Sequence, residues 1–485
     1  MTTYFIHENQ KNIDAITSEL SVSHGTQEKQ NLKQLDILIP WGTNHANNQH
    51  FFTLNKKANE VTGDKSKLIR QYEIFNLHGV STPIIVEPFT KQLKLKKASY
   101  NSIYQVPVFQ LKILSYFKKR NSNNSNWINK EIFSGNKEFN FDEVRSLRTQ
   151  REERRVRQLA IRAIYALNLD FGLVTIGVGP GEKPWVIKVE PFPALNRRLG
   201  TLFGKAIQSF SNRWERELRE WNPNAMLGAD PEFVLRNPDG SLELASKYLS
   251  KKGRVGCDDI WTNRDRTQLP IAELRPEPST QPRQLVINLY KTMILASKKI
   301  SNREVQWLAG ALPIDGFPIG GHIHFSRIWL NSFLLRAFDN YITLMITLFE
   351  DRTGIRRRPK YGFLGDFREQ FHGGFEYRTL PSWLVSPLLT KGIIALAKLV
   401  AENYIFLYQN PLQDSYLQEA YYKGDKERLR PVVKKLWSEL KQLREYDLYK
   451  EYLDPLETLI NDSYHWNEQS DFRRIWKLPP YHRKK

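Results

Sequence analysis

The chain has 485 residues, 40% of them hydrophobic and 26% charged, enough apolar material for sizeable cores, which excludes a wholly disordered or fibrous chain. Lys+Arg 72 against Asp+Glu 52 gives a formal charge of +20, which attracts polyanions without specifying one. The single cysteine, Cys257, excludes an internal disulfide framework and any cysteine-based zinc module.

In chain order the sequence predicts an α+β protein. Residues 1–34 are polar and aperiodic, as expected of a poorly ordered head, and lack the basic and apolar stretches of a secretory signal. LDILIPWG (35–42) reads as a strand, DKSKLIRQYEIFNLHG as a helix and VSTPIIV as loop into strand. Strand follows around residues 101–117, then a polar loop tip at NSNNSN (121–126) and a long charged helix over 143–167. LVTIGVGPGEKPWVIKVEPFPAL reads as two strands joined by a Gly/Pro turn, and residues 203–221 as an amphipathic helix broken by Asn222–Pro223–Asn224. Beyond it, short strands alternate with helices to about residue 408, and charged helix continues to the basic end YHRKK. The most apolar windows, 333–349 and 392–407, carry Arg336, Asp339, Lys398 and Glu402. They are predicted to be buried helices rather than membrane spans, so a soluble, cytoplasmic protein with no membrane partner is expected.

Four short segments of the third block share one property. Asp230 and Glu232 in GADPEFVLR stand two residues apart, as do Glu273 and Arg275 in IAELRPEPS, His322 and His324 in GGHIHFS, and Glu376 and Arg378 in GGFEYRTLPS. A strand has period two, so each pair projects from one face, leaving Phe233, Leu235, Leu274, Ile323, Phe325 and Tyr377 to pack on the other. Side by side, such strands make a face lined with carboxylates, imidazoles and guanidiniums. Burying unpaired carboxylates costs several kcal/mol each, roughly, so compensating cations are required. Oxygen-rich sites with one imidazole suit Mg²⁺ or Mn²⁺, and two such ions can bridge a phosphoryl group. Arg275 and Arg378 on the same face, with Arg368 in the basic run RRRPKYGFLGDFR, suit the oxygens of a bound nucleotide or carboxylate. Gly320–Gly321 and Gly373–Gly374 are expected to permit close backbone approach. Each pair alone has an ordinary reading as turn, ion pair or half-exposed imidazoles; the coincidence of four points to phosphoryl transfer.

GADPEF, ELRPEPS, GGHIH and FEYRTLPSWL, in this order, resemble the glutamine synthetase-like carboxylate–amine ligases, specifically the phage-type amidoligase type 2 branch, over residues 225–408. The resemblance implies an antiparallel sheet with helices on one face, cupping ATP and two metal ions, and a carboxylate phosphorylated before an amine attacks it. It places Asp230, His322 and Glu376 on one metal and Glu232 and Glu273 on the other, with Glu277 as a further candidate. It sets His324 toward the nucleotide and Arg378, beside Glu376, toward the transferred phosphoryl group; Asp366 is a candidate base for the amine. The substrates are then a carboxylate and an amine on a peptide, an amino acid or a cell-envelope fragment.

Residues 35–200 resemble an ATP-grasp domain in DKSKLIRQYEIFNLHGVSTP and in AIRAIYALNLDFGLVTIGV…WVIKVEPFPAL. Thr175, Lys188 and Glu190 stand where that family places acids and a Glu-x-Asn metal pair, Gln105 replaces an arginine, and a glycine-rich phosphate loop is missing, which implies a degenerate domain. Residues 201–224 then form a helical linker and 409–485 a helical basic tail. A non-catalytic protein binding nucleic acid or another polyanion, and a metal-dependent hydrolase on the same sheet, are the alternatives.

Overall fold

The computed structural model describes residues 2–27, 32–42, 50–87, 90–96, 99–120, 141–371 and 373–481. The loop tip expected at 121–126 and most of the basic end YHRKK lie outside them. The chain divides into two compact units, Met1–Asn222 and Pro223–Lys485.

In the first unit the head expected to be poorly ordered begins instead with the strand Thr3–His7, which pairs in parallel with Ile37–Trp41 and with Ser23–Gly25. Phe5 and Ile6 are fully buried. Five residues between polar flanks give too short a pattern to detect in sequence, and the longer of the strand's two partners begins 34 residues on, at Ile37 against Thr3. Among the described residues a six-stranded antiparallel sheet runs in the order Lys183–Glu190, Phe171–Gly179, Ser102–Phe109, Tyr116–Lys119, Phe141–Val144, with Lys112–Ile113 beside Ser102–Phe109. The charged helix starts later than expected, at Gln150, because Thr149 caps it by accepting the Glu152 N–H at 3.0 Å. Glu143 belongs to the preceding strand and pairs with Arg198.

The helix Arg197–Arg219, capped by Asn196, buries Leu199, Phe203, Ile207, Phe210 and Trp214 along one stripe. Phe203 meets Trp41 with ring centroids 5.0 Å apart and Trp214 meets Phe52 at 5.0 Å. It is therefore a core element of the first unit rather than a linker.

The second unit is built on an eight-stranded antiparallel sheet among the described residues. Its main path runs Val255–Cys257, Ile271–Leu274, Met226–Arg236, Gly321–Ser326, Phe375–Tyr377, Phe367–Glu369. The four motif strands are thus consecutive neighbours. Helices pack the face away from the acids: Phe325 stacks on Phe338 at 4.5 Å, and the Tyr377 hydroxyl donates to Asp339 Oδ1 at 2.5 Å. Asp339 opens a π-helical turn, Asp339–Thr343, inside the apolar run, and Lys398 pairs with Glu402 at 2.7 Å. Those charges serve a packed interior, and no described helix is long and apolar enough to cross a membrane.

The segment expected as a separate tail, 409–485, is part of this unit. Phe472 packs on Trp307 and Phe233, with centroids 6.0 and 5.7 Å apart. Buried Glu468 accepts from the Ala311 and Leu312 N–H groups, the Thr353 hydroxyl and the Trp466 indole, at 2.6 to 3.2 Å. One carboxylate satisfying four donors ties the end of the chain to the loop that leads into the His322 strand.

Candidate active site

Register fixes the site. Glu232 lies opposite Glu273, Asp230 opposite His322, His324 opposite Glu376, and Glu376 opposite Arg368. Facing residues in an antiparallel pair share a side of the sheet, so all of these side chains meet on one face. All but the fully buried Glu376 line a cavity of about 1060 Å³, together with Arg275 and Arg378.

The imidazole of His322 is the hub. Its Nδ1 stands 3.1 Å from Glu376 Oε1, 3.5 Å from Asp230 Oδ1 and 3.8 Å from Glu232 Oε1. His324 Nε2 lies 2.9 Å from Asp230 Oδ2. Asp230, Glu232, Glu273, His322 and Glu376 are each at most 8% exposed. Water therefore does little to screen their mutual repulsion.

Their protonation shows the strain. Burial, reinforced by the Asp230 charge, pushes Glu273 up to about 9, and burial pushes Glu232 up to about 7. Burial also opposes the charge on Asp230 and Glu376. The imidazoles of His322 and His324 nonetheless hold Asp230 well below the carboxylate range, and His322 holds Glu376 down. His322 is in turn held well above its ordinary value: burial works against the cation, and Asp230 and Glu376 override it.

The donor set fits a divalent cation. Asp230, His322 and Glu376 offer ligand atoms all within 4.8 Å of one another, and Asp230 Oδ1 is buried without a hydrogen-bond partner. Two carboxylates and one imidazole suit Mg²⁺ or Mn²⁺. Glu232 and Glu273, cross-strand neighbours one step away, are the candidates for a second ion; Glu232 Oε2 also accepts the Gly320 N–H at 2.7 Å.

A Cβ on Gly320 would come within 2.3 Å of His322 Nε2, and one on Gly321 within 2.3 Å of the Pro381 carbonyl. Only hydrogen fits there. Gly373 does not share that role: a Cβ there meets nothing within 4 Å, and its φ of +86° serves the turn between the Arg368 and Glu376 strands.

The arginines divide. Arg378 Nη1 donates to Glu376 Oε1 at 3.1 Å, and Arg368 pairs with Glu376 from the outer strand. Arg275 lines the cavity but is already engaged, pairing with Glu273 and donating to the carbonyls of Gly253 at 3.1 Å and Cys257 at 3.2 Å. Glu277 stands apart from the acids, exposed and paired with Arg254. The strand ends at Leu274 and two prolines flank Glu277, so the period-two rule stops before it. Asp366 lines the cavity 3.9 Å from Arg378 Nε.

Asp258 and Gln370 escape the sequence pattern, and Arg357 belongs to the basic run RRRPKYGFLGDFR without being singled out in it. Asp258 lines the cavity close enough to raise Glu232 electrostatically. Gln370 donates to Glu376 Oε2 at 3.2 Å, and buried Arg357 holds the Thr379 and Leu380 carbonyls at 2.9 and 3.0 Å. Gly256 and Asp258 do keep the two-residue spacing, but Asp258 stands one residue beyond the strand Val255–Cys257, whose three residues are too few to show it.

An antiparallel sheet that gathers these acids, imidazoles and guanidiniums in one cavity has the layout of a carboxylate–amine ligase domain. Residues 227–478, more than half of the chain, match the family model of the phage phiEco32-like COOH.NH2 ligase-type 2. The chain belongs to that family. A comparison with curated proteins gave no match. Among solved structures, the chain is similar to D-alanine–D-alanine ligase from Bacillus anthracis, at 12% identity and TM-score 0.30, over 45% of this chain and 99% of that one. A RiPP-associated ATP-grasp ligase from Chryseobacterium gregarium, solved with ADP and a leader and core peptide, gives 10% and 0.30, over 44% and 97%. A bifunctional glutathione synthetase from Pasteurella multocida gives 10% and 0.33, over 52% of each chain. Likeness this low assigns no activity.

Proposed function

We propose that the protein is an ATP-dependent ligase joining a carboxylate to an amine through an acyl phosphate, with two divalent cations. The convergence of Asp230, His322 and Glu376 ligand atoms within 4.8 Å, beside buried Glu232 and Glu273, carries this reading. The first three residues would hold one ion and the last two a second. Such ions supply charge neutralisation at the transferring phosphoryl oxygens.

The chain's own groups act around that chemistry. Arg378, held by Glu376, lines the cavity, and a guanidinium there can donate to phosphoryl oxygens. Arg368 adds a second guanidinium, and His324 marks the nucleotide end. A substrate carboxylate oxygen attacks the γ-phosphorus and ADP leaves. The amine nitrogen then attacks the acyl carbon, the C–O bond to phosphate breaks, and the nitrogen loses a proton to a base, for which Asp366, in the cavity lining, is the candidate. ATP as co-substrate fits a cytoplasmic protein.

The test is to incubate the protein with ATP, Mg²⁺, ¹⁸O-labelled carboxylates and a panel of amines, and to weigh the products. An acyl phosphate moves one ¹⁸O from the carboxylate into inorganic phosphate. Amide formed without ¹⁸O in inorganic phosphate, the label appearing instead in AMP or water, would exclude that intermediate. Hydrolysis without amide would point to the hydrolase alternative, and metal-independent, salt-sensitive polyanion binding that survives Glu376→Ala to the binding-protein alternative.

A further inference from the structure

The two ends of the cavity differ in chemistry. Along the strands His324 and Gly228 lie at one end, Asp230 and His322 midway, and Glu232 with Glu273 toward the other. The ladder beside Glu273 runs one residue past Cys257, where the Asp258 N–H donates to the Ile271 carbonyl at 3.1 Å. Gly256 pairs with Glu273, so Asp258, two residues on, falls on the same face and extends that end. Among the described residues Asp258 joins no ion pair, whereas Lys251 pairs with Asp259 and Arg275 with Glu273.

The chain then turns through a loop tied to itself. Asp258 Oδ2 accepts the Ile260 N–H at 3.1 Å, the Thr262 N–H donates to Gln268 O at 3.0 Å, and the Thr267 N–H donates to Asp265 Oδ1 at 2.8 Å. This loop holds Trp261 in the cavity wall at 50% exposure, with the Arg266 guanidinium 5.6 Å from its ring centre. Pro318 and Ile260 line the wall with it, and Ile260 packs on a buried cluster that includes Ile271 and Ile319. An indole left half in water on a loop with little freedom is arranged for contact: ordering it costs little entropy when an apolar group covers it.

An acid lacking a counter-cation beside an apolar plate is complementary to an ammonium group carrying an apolar substituent. We infer that this end of the cavity takes the amine donor, that Asp258 faces its ammonium group, and that Trp261, Ile260 and Pro318 select a bulky apolar side chain on it. The inference names a substrate class for the ligase reading above and rests on it.

Calorimetric titration of the full chain with Mg²⁺ tests it, using phenylalaninamide, leucinamide and glycinamide as amines with blocked carboxyls and N-acetylphenylalanine as a carboxylate-only probe. Phenylalaninamide and leucinamide should bind about tenfold tighter than glycinamide. Trp261→Ala should bring the three within about twofold of each other and Trp261→Phe should keep the ranking, as stacking on an aromatic face requires. Asp258→Asn should weaken all three amides by about tenfold and leave N-acetylphenylalanine unchanged, as expected for loss of a charge-assisted contact. No amide binding, equal binding of glycinamide, or an intact ranking in Trp261→Ala overturns the inference. So does a Trp261→Ala defect confined to a non-hydrolysable ATP analogue, which would make the indole a nucleotide contact. Mg²⁺-dependent binding of that analogue by the wild type, measured alongside, reports on the ligase reading alone.

Discussion

Glu152 and Asp170 in the first unit are each 2% exposed, as buried as the acids of the cavity. Each meets neutral donors: the Tyr104 hydroxyl is 2.7 Å from Glu152 Oε1, and the Asn55 N–H is 2.7 Å from Asp170 Oδ2. On that unit's sheet Lys188 and Glu190, two residues apart, pair with each other at 2.8 Å in the open. The second unit uses the same two-residue spacing but packs Asp230, Glu232, Glu273 and Glu376 against one another around His322. Burial and spacing are therefore common to both units. Among the described residues, only the second brings two carboxylates and an imidazole to within 4.8 Å of one another, with Asp230 Oδ1 buried and unpartnered, the donor set that fits a divalent ion.

The sharpest way to break this contrast is Glu376→Ala. Mg²⁺-dependent ATP turnover should fall by about a thousandfold or more, while a cooperative thermal transition persists; undiminished turnover would leave the cavity without its proposed role. Glu468→Ala should cost about 2–4 kcal/mol in urea unfolding, because it strands four buried donors. A loss below about 0.5 kcal/mol would return the C-terminal segment to the status of an appendage.

The contrast also predicts a pH dependence. Glu232 and Glu273 hold protons in the metal-free fold up to about 7 and about 9 that the unfolded chain releases near 4.5. The native state then binds more protons than the unfolded one across that window, and His322, held above its ordinary value, acts in the same direction. Metal-free stability should thus fall as pH rises from 5 to 9, by several kcal/mol, whereas Asp230 and Glu376, held low, lose their contribution only in acid. Saturating Mg²⁺ should flatten the profile and release protons on binding. A melting temperature equally flat with EDTA and with Mg²⁺ would contradict this.

Gly320→Ala should displace the His322 ring and weaken Mn²⁺ binding by about 10–100-fold in a calorimetric titration. At the small end, Lys188→Ala with Glu190→Ala in the first unit should change turnover less than about twofold and stability by less than about 1 kcal/mol, the range of an exposed ion pair.

Much of the site was legible in advance because a strand's period is a local rule. Asp230/Glu232, His322/His324 and Glu376/Arg378 declare their shared face within three residues each. Glu277 shows where the rule ends: once prolines break the strand, spacing no longer reports direction. Asp258 shows the converse, since the three-residue strand before it carries too little pattern to be noticed. The head and the C-terminal segment depart from the local pattern for a related reason. Thr3–His7 is held by Ile37–Trp41, and Glu468 by Ala311, Leu312 and Thr353; neither partner lies in the local window.

The sequence by itself determined which residues are acidic, which strands point them to a common side, and where glycine lets backbone approach a ring. Tertiary structure decided which strands are neighbours, and hence that Glu232 faces Glu273 and Asp230 faces His322. It also decided that Arg275 is held by carbonyls and that the chain's end belongs to the ligase unit. The physical reason is range: side-chain alternation is set by the covalent geometry of adjacent residues, whereas register and burial are set by contacts between segments tens to more than a hundred residues apart, whose relative strengths no single stretch of sequence contains.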